Sequence, residues 1–87
     1  MPRTVRVEVS ARHIHLSVRD VERLFGRVHT LRPLRGISQP GQFATRETVT
    51  VVGPKVRLEG VRIIGPAREA SQVELTVTEA RRLGIRP

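Results

Sequence analysis

The chain has 87 residues, of which 38 % are hydrophobic, so it can form one small domain with a modest core. It contains no cysteine, which excludes disulfides and thiolate metal ligands, and it has no apolar run near the about 20 residues that span a bilayer. Fifteen arginines and one lysine give a net charge of +8, which favours anionic partners, whereas two phenylalanines are too few for a base-stacking platform that would indicate nucleic acid.

The first part of the chain predicts a strand and a short helix. Alternating valines and polar residues indicate a strand from about Thr4 to Ser10. Ser17, with Asp20 three residues later, forms a capping pattern, and Gly26 is a typical helix stop. We therefore predict a helix over Val18–Phe25.

A His-Ile-His triplet lies between these two elements. If the segment is extended, His13 and His15 point to the same face, about 6.5–7 Å apart at the backbone. Two imidazole nitrogens at this spacing can bind one Zn²⁺ at about 2.0–2.1 Å, although such a pair can also be incidental. Two ligands are incomplete, so a third residue or a second chain must contribute. The third histidine, His29, has no ligand spacing, and we interpret it as a surface residue.

The second part of the chain reads as short strands and a final helix. Pro40-Gly41 predicts a turn with Gly41 at positive φ. Thr78 is the predicted cap of a helix over Glu79–Leu83, which Gly84 ends. Periodicity indicates strands or extended stretches at Val28–Leu34, Glu47–Val52, Val56–Leu58, Val61–Ile64 and Ser71–Val77. We expect a mainly β fold, namely a small closed β-barrel with two short helices, as a single domain over residues 1–87.

Seven blocks of the sequence follow one another in a specific order. They are Val9–Ser17, Leu24–Gly26, Ser38–Ala44, Glu47–Val49, Val52–Lys55, Val61–Arg68 and Ser71–Leu75. In this order they resemble the PduL-type phosphate propanoyltransferases, a family of phosphotransacylases, and the resemblance covers nearly the whole chain.

The resemblance implies a reaction and an architecture. The family converts acyl-CoA and phosphate to acyl phosphate and CoA, and its members contain two similar β-barrel halves with two zinc ions between them. This chain resembles the first half only. The resemblance therefore implies that a second barrel, from a homodimer or from a partner chain, completes the site.

The resemblance also assigns residues to the metal and to phosphate. His13 and His15 match zinc ligands of the family, and Glu74 matches the carboxylate ligand of the same ion. Arg68 matches the catalytic arginine that holds phosphate beside the zinc. Without the resemblance, Glu74 could simply pair with Arg62 or Arg68.

A second set of positions matches residues that contact coenzyme A in the family. These are Ser10, Arg35 and Arg62, and Arg35 stands where a lysine is usual. Family members often carry an N-terminal extension that targets them to microcompartments. Only Met1–Arg3 precede the first predicted strand, so we expect no such extension, no membrane contact and a cytoplasmic protein.

The alternative hypothesis is non-catalytic. A metal-stabilised barrel with a basic face could serve as a binding module for an anionic ligand or nucleic acid. Binding to nucleic acid would then depend steeply on salt concentration.

Overall fold

A computed structural model describes residues 6–9 and 11–85, with side chains described from residue 11 onward. Ser10 and the predicted start of the first strand at Thr4 lie outside the described residues. The elements in chain order are β1 Arg6–Val9, β2 His13–His15, α1 Val18–Phe25, β3 Pro33–Gly36, β4 Phe43–Val52, β5 Arg57–Gly65, β6 Gln72–Leu75 and α2 Val77–Leu83.

The described strands form one sheet of six strands in the order β1-β6-β2-β5-β4-β3. The mainly β character and the two short helices are confirmed, but the predicted closed barrel is wrong because the sheet is open. β1 pairs in parallel with β6, β3 pairs antiparallel with β4, and these two strands are the edges. Closing a barrel requires its outer strands to pair with each other, and both outer strands here have only four residues.

β5 is one strand where the sequence predicts two. The Glu59-Gly60 pair, interpreted as a break, lies inside Arg57–Gly65. Gly60 has φ 65°, and the pairing with β4 shifts register between Val49 and Val51. A bulge therefore absorbs the turn-forming residues without ending the strand.

The helix α1 has the predicted bounds. The Ser17 hydroxyl accepts a hydrogen bond from the Asp20 amide at 3.1 Å, and the Gly26 amide donates to the Glu22 carbonyl at the other end. The stretch before β3 is less regular than predicted. Only Pro33–Gly36 forms a strand, so most of the predicted Val28–Leu34 strand is a loop.

The helix α2 begins two residues earlier than predicted. Its N-cap is Thr76, whose hydroxyl accepts from the Glu79 amide while the Glu79 carboxylate accepts from the Thr76 amide. Thr78 is therefore inside the helix, and β6 ends at Leu75. Thr76 is the N-cap instead of Thr78 because Thr76 forms this reciprocal pair of hydrogen bonds with Glu79, whereas Thr78 has no acidic residue three positions later.

The core lies where α1 and α2 pack on the strands. In the described part of the chain its buried apolar residues are Ile14, Leu16, Val21, Leu31, Leu58, Val61, Ile63, Val73, Leu75, Ala80 and Leu83. Because side chains alternate along a strand, burying Ile14 turns its two histidine neighbours to the other face of the sheet. Neither described helix is long and apolar enough to cross a membrane.

Candidate metal centre

The register of β2 and β6 brings together residues that are far apart in sequence. The two strands are antiparallel, with His13 opposite Glu74 and His15 opposite Gln72. Directly opposed residues share a face of the sheet, and so do residues two apart on one strand. His13, His15 and Glu74 therefore project to the same side.

The side-chain atoms of these three residues converge. Glu74 Oε2 lies 2.9 Å from His13 Nε2 and 3.1 Å from His15 Nε2, and the two Nε2 atoms are 3.1 Å apart. Tetrahedral ligands at about 2.0–2.1 Å from Zn²⁺ lie about 3.3 Å from one another. If the three ligand atoms moved apart by a few tenths of an ångström, they would match the ligand spacing of a zinc ion, so the predicted ligands fit zinc.

The hydrogen bond at the other nitrogen of His13 sets its tautomer. Its Nδ1 lies 2.9 Å from the Ala11 carbonyl oxygen, which can only accept, so Nδ1 carries the proton. Nε2 is then left with a lone pair that faces the other ligands. An imidazole oriented through its second nitrogen is the usual arrangement of a metal ligand.

His15 is held in the neutral form that binds metals. Its side chain is only 4 % exposed, and within the described residues its Nδ1 has no hydrogen-bond partner. Burial lowers the pKa of His15, and the positive charge of Arg68 lowers it further, against the opposing effect of Glu74. Both dominant causes disfavour the imidazolium form, which cannot ligate a metal.

Arg68 is fixed beside the histidine strand through its backbone. The Arg68 amide donates to the Leu16 carbonyl at 2.8 Å, and the Val18 amide donates to the Arg68 carbonyl at 3.2 Å. This parallel bridge opposite Ser17 ties Arg68 to the segment that directly follows His15. The Arg68 side chain is exposed and lines the same cavity as His13, His15 and Glu74.

This cavity has a volume of about 320 Å³. Besides the three ligands and Arg68, it is lined by Ile37, Ser38, Gln39, Gln42 and Ile64. The predicted Pro-Gly turn is confirmed, with Gly41 at φ 77°. Sequence reasoning treated this loop only as a turn and missed that its two glutamines reach the site; their place in a block shared with the family was the available signal.

The positions matched to coenzyme A contacts lie elsewhere. Arg62 Nη1 donates to the carbonyls of Thr45 at 3.0 Å and Arg46 at 3.3 Å. Arg35 is exposed on the edge strand β3, and neither arginine lines the cavity. These two residues and Ser10 stay predictions. Arg62 Nη1 is bound to backbone carbonyls, and the ion pairs found for Glu74 among the described residues are with His13 and His15.

The prediction that His29 is a surface residue is wrong. Its side chain is 25 % exposed, its ring stacks on Phe25 at 5.0 Å, and its Nε2 lies 2.5 Å from the buried carboxylate of Glu47. Arg32 donates to the same carboxylate from its amide and its guanidinium. Burial would raise the pKa of Glu47, but hydrogen bonds from His29 and Arg32 outweigh it and lower the pKa to about 2.

Comparison with known proteins identifies the family. A family model described as phosphate propanoyltransferase matches residues 6–87. The phosphate propanoyltransferase of Thermotoga maritima is 54 % identical over 93 % of this chain and 39 % of its own length. The phosphate propanoyltransferase of Salmonella typhimurium is 52 % identical over 95 % of this chain and 39 % of its own length. The phosphate propanoyltransferase of Alkaliphilus metalliredigens is 49 % identical over 100 % of this chain and 41 % of its own length. The chain thus spans about two fifths of the length of these relatives, and it belongs to the phosphate propanoyltransferase family.

Proposed function

We propose that this chain is part of a zinc-dependent phosphate acyltransferase that converts acyl-CoA and phosphate to acyl phosphate and CoA. Family membership supports the reaction class. The observation that carries the proposal is the convergence of His13, His15 and Glu74 on one point of a cavity that Arg68 also lines.

His13, His15 and Glu74 are the proposed zinc ligands. Two imidazoles and one carboxylate are a typical set for a catalytic zinc, which keeps a further position open. The ion, when bound, supplies Lewis-acid charge to a phosphate oxygen. The hydrogen bond from His13 Nδ1 to the Ala11 carbonyl orients the His13 ring before metal binds. Burial lowers the pKa of His15, which favours its neutral, metal-binding form.

Arg68 is the proposed phosphate-binding residue. Its planar guanidinium can donate two parallel hydrogen bonds to a phosphate, and the backbone bridge to Ser17 limits where that guanidinium can go. Phosphate held in this way presents a third oxygen to the thioester carbonyl carbon. The new C–O bond forms as the C–S bond breaks, and the CoA thiolate leaves with the electron pair.

Coenzyme A is the proposed acyl carrier, and Ser10, Arg35 and Arg62 are its proposed contacts. The net charge of +8 would attract the phosphate groups of the carrier. Arg62 would have to leave its two backbone carbonyls to reach a ligand.

We further propose that the rest of the site, including a second zinc ion, comes from outside this chain. The chain covers only 39–41 % of the relatives' length, and its described residues supply three ligands to one metal position. A second copy related by a two-fold axis could supply a second His₂Glu set, and a separate chain carrying the remaining part of the relatives' sequence is the other source.

The reaction can be tested by following thiol release from propanoyl-CoA with a thiol reagent, since the chain has no cysteine to give a background. We expect phosphate-dependent release by the zinc-loaded protein once it is assembled as a dimer or with the remaining part of the relatives' sequence, and loss of release in His13→Ala and Arg68→Gln. Arg81→Gln, on the exposed side of α2, is the charge-matched control and should keep the wild-type rate. Zinc binding without thiol release by any assembled form would instead favour the non-catalytic module.

A further inference from the structure

The loop between β3 and β4 lines the cavity of the candidate metal centre and is ordered by two backbone hydrogen bonds. The Gln42 amide donates to the Gln39 carbonyl at 3.2 Å, and the Ile37 amide donates to the Gln42 carbonyl at 3.5 Å. With Pro40 and Gly41 (φ 77°) at its centre, the segment Gln39–Gln42 is a type II turn. The two glutamines occupy its ends, so their α-carbons are less than about 7 Å apart on one rim of the cavity.

Gln42 is aimed at the site. It directly precedes β4, and continuing the alternation of that strand by one residue puts Gln42 on the face that carries Ala44 and its partner Ile64. Gln42 and Ile64 both line the cavity with the metal ligands. Gln42 is half-buried, and within the described residues its side-chain amide makes no hydrogen bond. Among the described residues, His15 Nδ1 is the one buried side-chain atom without a hydrogen-bond partner, so the Gln42 amide is open to solvent and can exchange water for a ligand.

Ser38 and Gln39 on the exposed rim also offer acceptor oxygens, but Gln42 is the half-buried residue of this loop segment. The remaining charged groups of the cavity leave little to accept a proton from a ligand. Arg68 can only donate hydrogen bonds, a metal ion can only accept electron pairs, and the Glu74 carboxylate is shared between the two imidazoles. Phosphate near neutral pH keeps a proton on one of its oxygens, and that P–OH group needs an acceptor. Sulfate has the same shape but carries no proton. A glutamine amide offers two donors and a carbonyl acceptor, and it can satisfy both kinds of phosphate oxygen.

We propose that Gln42, supported by Gln39 on the same rim, binds the substrate phosphate and gives the site its selectivity for phosphate over sulfate. The inference rests on the proposed function and adds a specificity-determining residue to it. Gln42 accepts the P–OH proton through its carbonyl and donates to a neighbouring oxygen through its NH₂ group. Arg68 and a bound metal would supply the charge that attracts either anion, and Gln42 would favour phosphate because phosphate carries a P–OH proton that sulfate lacks.

Equilibrium dialysis of the zinc-loaded chain against radiolabelled phosphate, with sulfate as competitor, tests this. Gln42→Met keeps the length of the side chain and removes its hydrogen bonds, and Gln42→Ala provides a second variant if methionine disturbs the loop. The matched control is Gln72→Met, because Gln72 lies opposite His15 on β6 but does not line the cavity. Zinc stoichiometry and circular dichroism establish that each variant is folded and loaded.

We expect Gln42→Met to weaken phosphate binding about tenfold or more, and sulfate binding less than about threefold, because only phosphate uses the acceptor. Gln72→Met should change neither. Equal weakening of both anions would mean that Gln42 only shapes the loop, and unchanged binding of both would mean that it touches neither; each result overturns the inference. A zinc-loaded wild type that binds no phosphate in any assembled form, either as a dimer or with the remaining part of the relatives' sequence, would refute the proposed function itself, which separates the two failures.

Discussion

The buried carboxylate of Glu47 should make a measurable part of the chain's stability depend on pH. Its pKa falls from an ordinary 4.5 to about 2 because the hydrogen bonds from His29 and Arg32 outweigh the opposing effect of burial. A group whose pKa is lower in the folded state stabilises the fold above the unfolded pKa. This stabilisation is therefore complete above about pH 4.5 and is lost as the pH falls towards 2.

The size of the effect follows from the shift. At about 1.36 kcal/mol per pKa unit, a fall from 4.5 to about 2 corresponds to about 3 kcal/mol. This is an upper limit, because the Arg32 side chain is 63 % exposed and water screens its charge. A loss of 2–3 kcal/mol would still be large against the roughly 5–15 kcal/mol that stabilises a small domain.

The perturbation is Glu47→Gln, measured by urea unfolding at pH 7, 4 and 3. Circular dichroism is the suitable signal, since the chain contains no tryptophan or tyrosine. We expect the variant to lose about 2–3 kcal/mol at pH 7 and to depend less steeply than wild type on pH below 4.5; the lowered pKa of Glu79 leaves a residual dependence in both. Glu59→Gln is the control at an exposed position and should stay within about 0.5 kcal/mol of wild type. A variant as stable as wild type at pH 7, with the same acid slope, would refute the reasoning.

Three further predictions concern the fold and the metal. Gly53→Ala should lower the free energy of unfolding in urea by about 1–3 kcal/mol, because a Cβ there would lie 2.7 Å from the Leu83 carbonyl oxygen. Gly36→Ala is the control and should be nearly neutral, because the space around Gly36 is open. Thr76→Ala should cost about 1 kcal/mol through loss of the α2 cap, and an unchanged urea midpoint would contradict that role. Zinc at about 100 times its Kd should stabilise the wild type by about 2.7 kcal/mol, seen as a raised Tm, and should have little effect on His13→Ala; equal stabilisation of both would place the metal elsewhere.

Local signals in the sequence predicted those elements whose ends are determined by neighbouring residues. The bounds of α1 follow from Ser17 and Gly26, which act within a few residues of the helix. The start of α2 was misplaced because two threonines compete for the cap, and Glu79 decides between them. The open sheet could not be read from the pattern, because strand periodicity indicates which face is buried but not whether the outer strands meet.

In the candidate site, too, local features were predictable from the sequence and contacts between distant residues were not. The spacing of His13 and His15 is local, so a shared face was predictable from two positions on one strand. The contribution of Glu74 depends on pairing across 61 residues, which no local pattern contains, and it came only from the resemblance to the family. His29 was misjudged for the same reason, since its partner Glu47 is 18 residues away.

An open sheet leaves a strand edge that could recruit further chains, and β3 carries features that oppose this. All four of its residues are exposed, and Pro33 has no amide hydrogen to offer to an incoming strand. The register shift between Pro33 and Arg35 makes the strand irregular, and the arginine charge repels an identical copy. Fibril-like growth through this edge is therefore disfavoured. A second copy that completes the metal site would have to approach the face that carries the histidines, so assembly and aggregation would use different surfaces of the molecule.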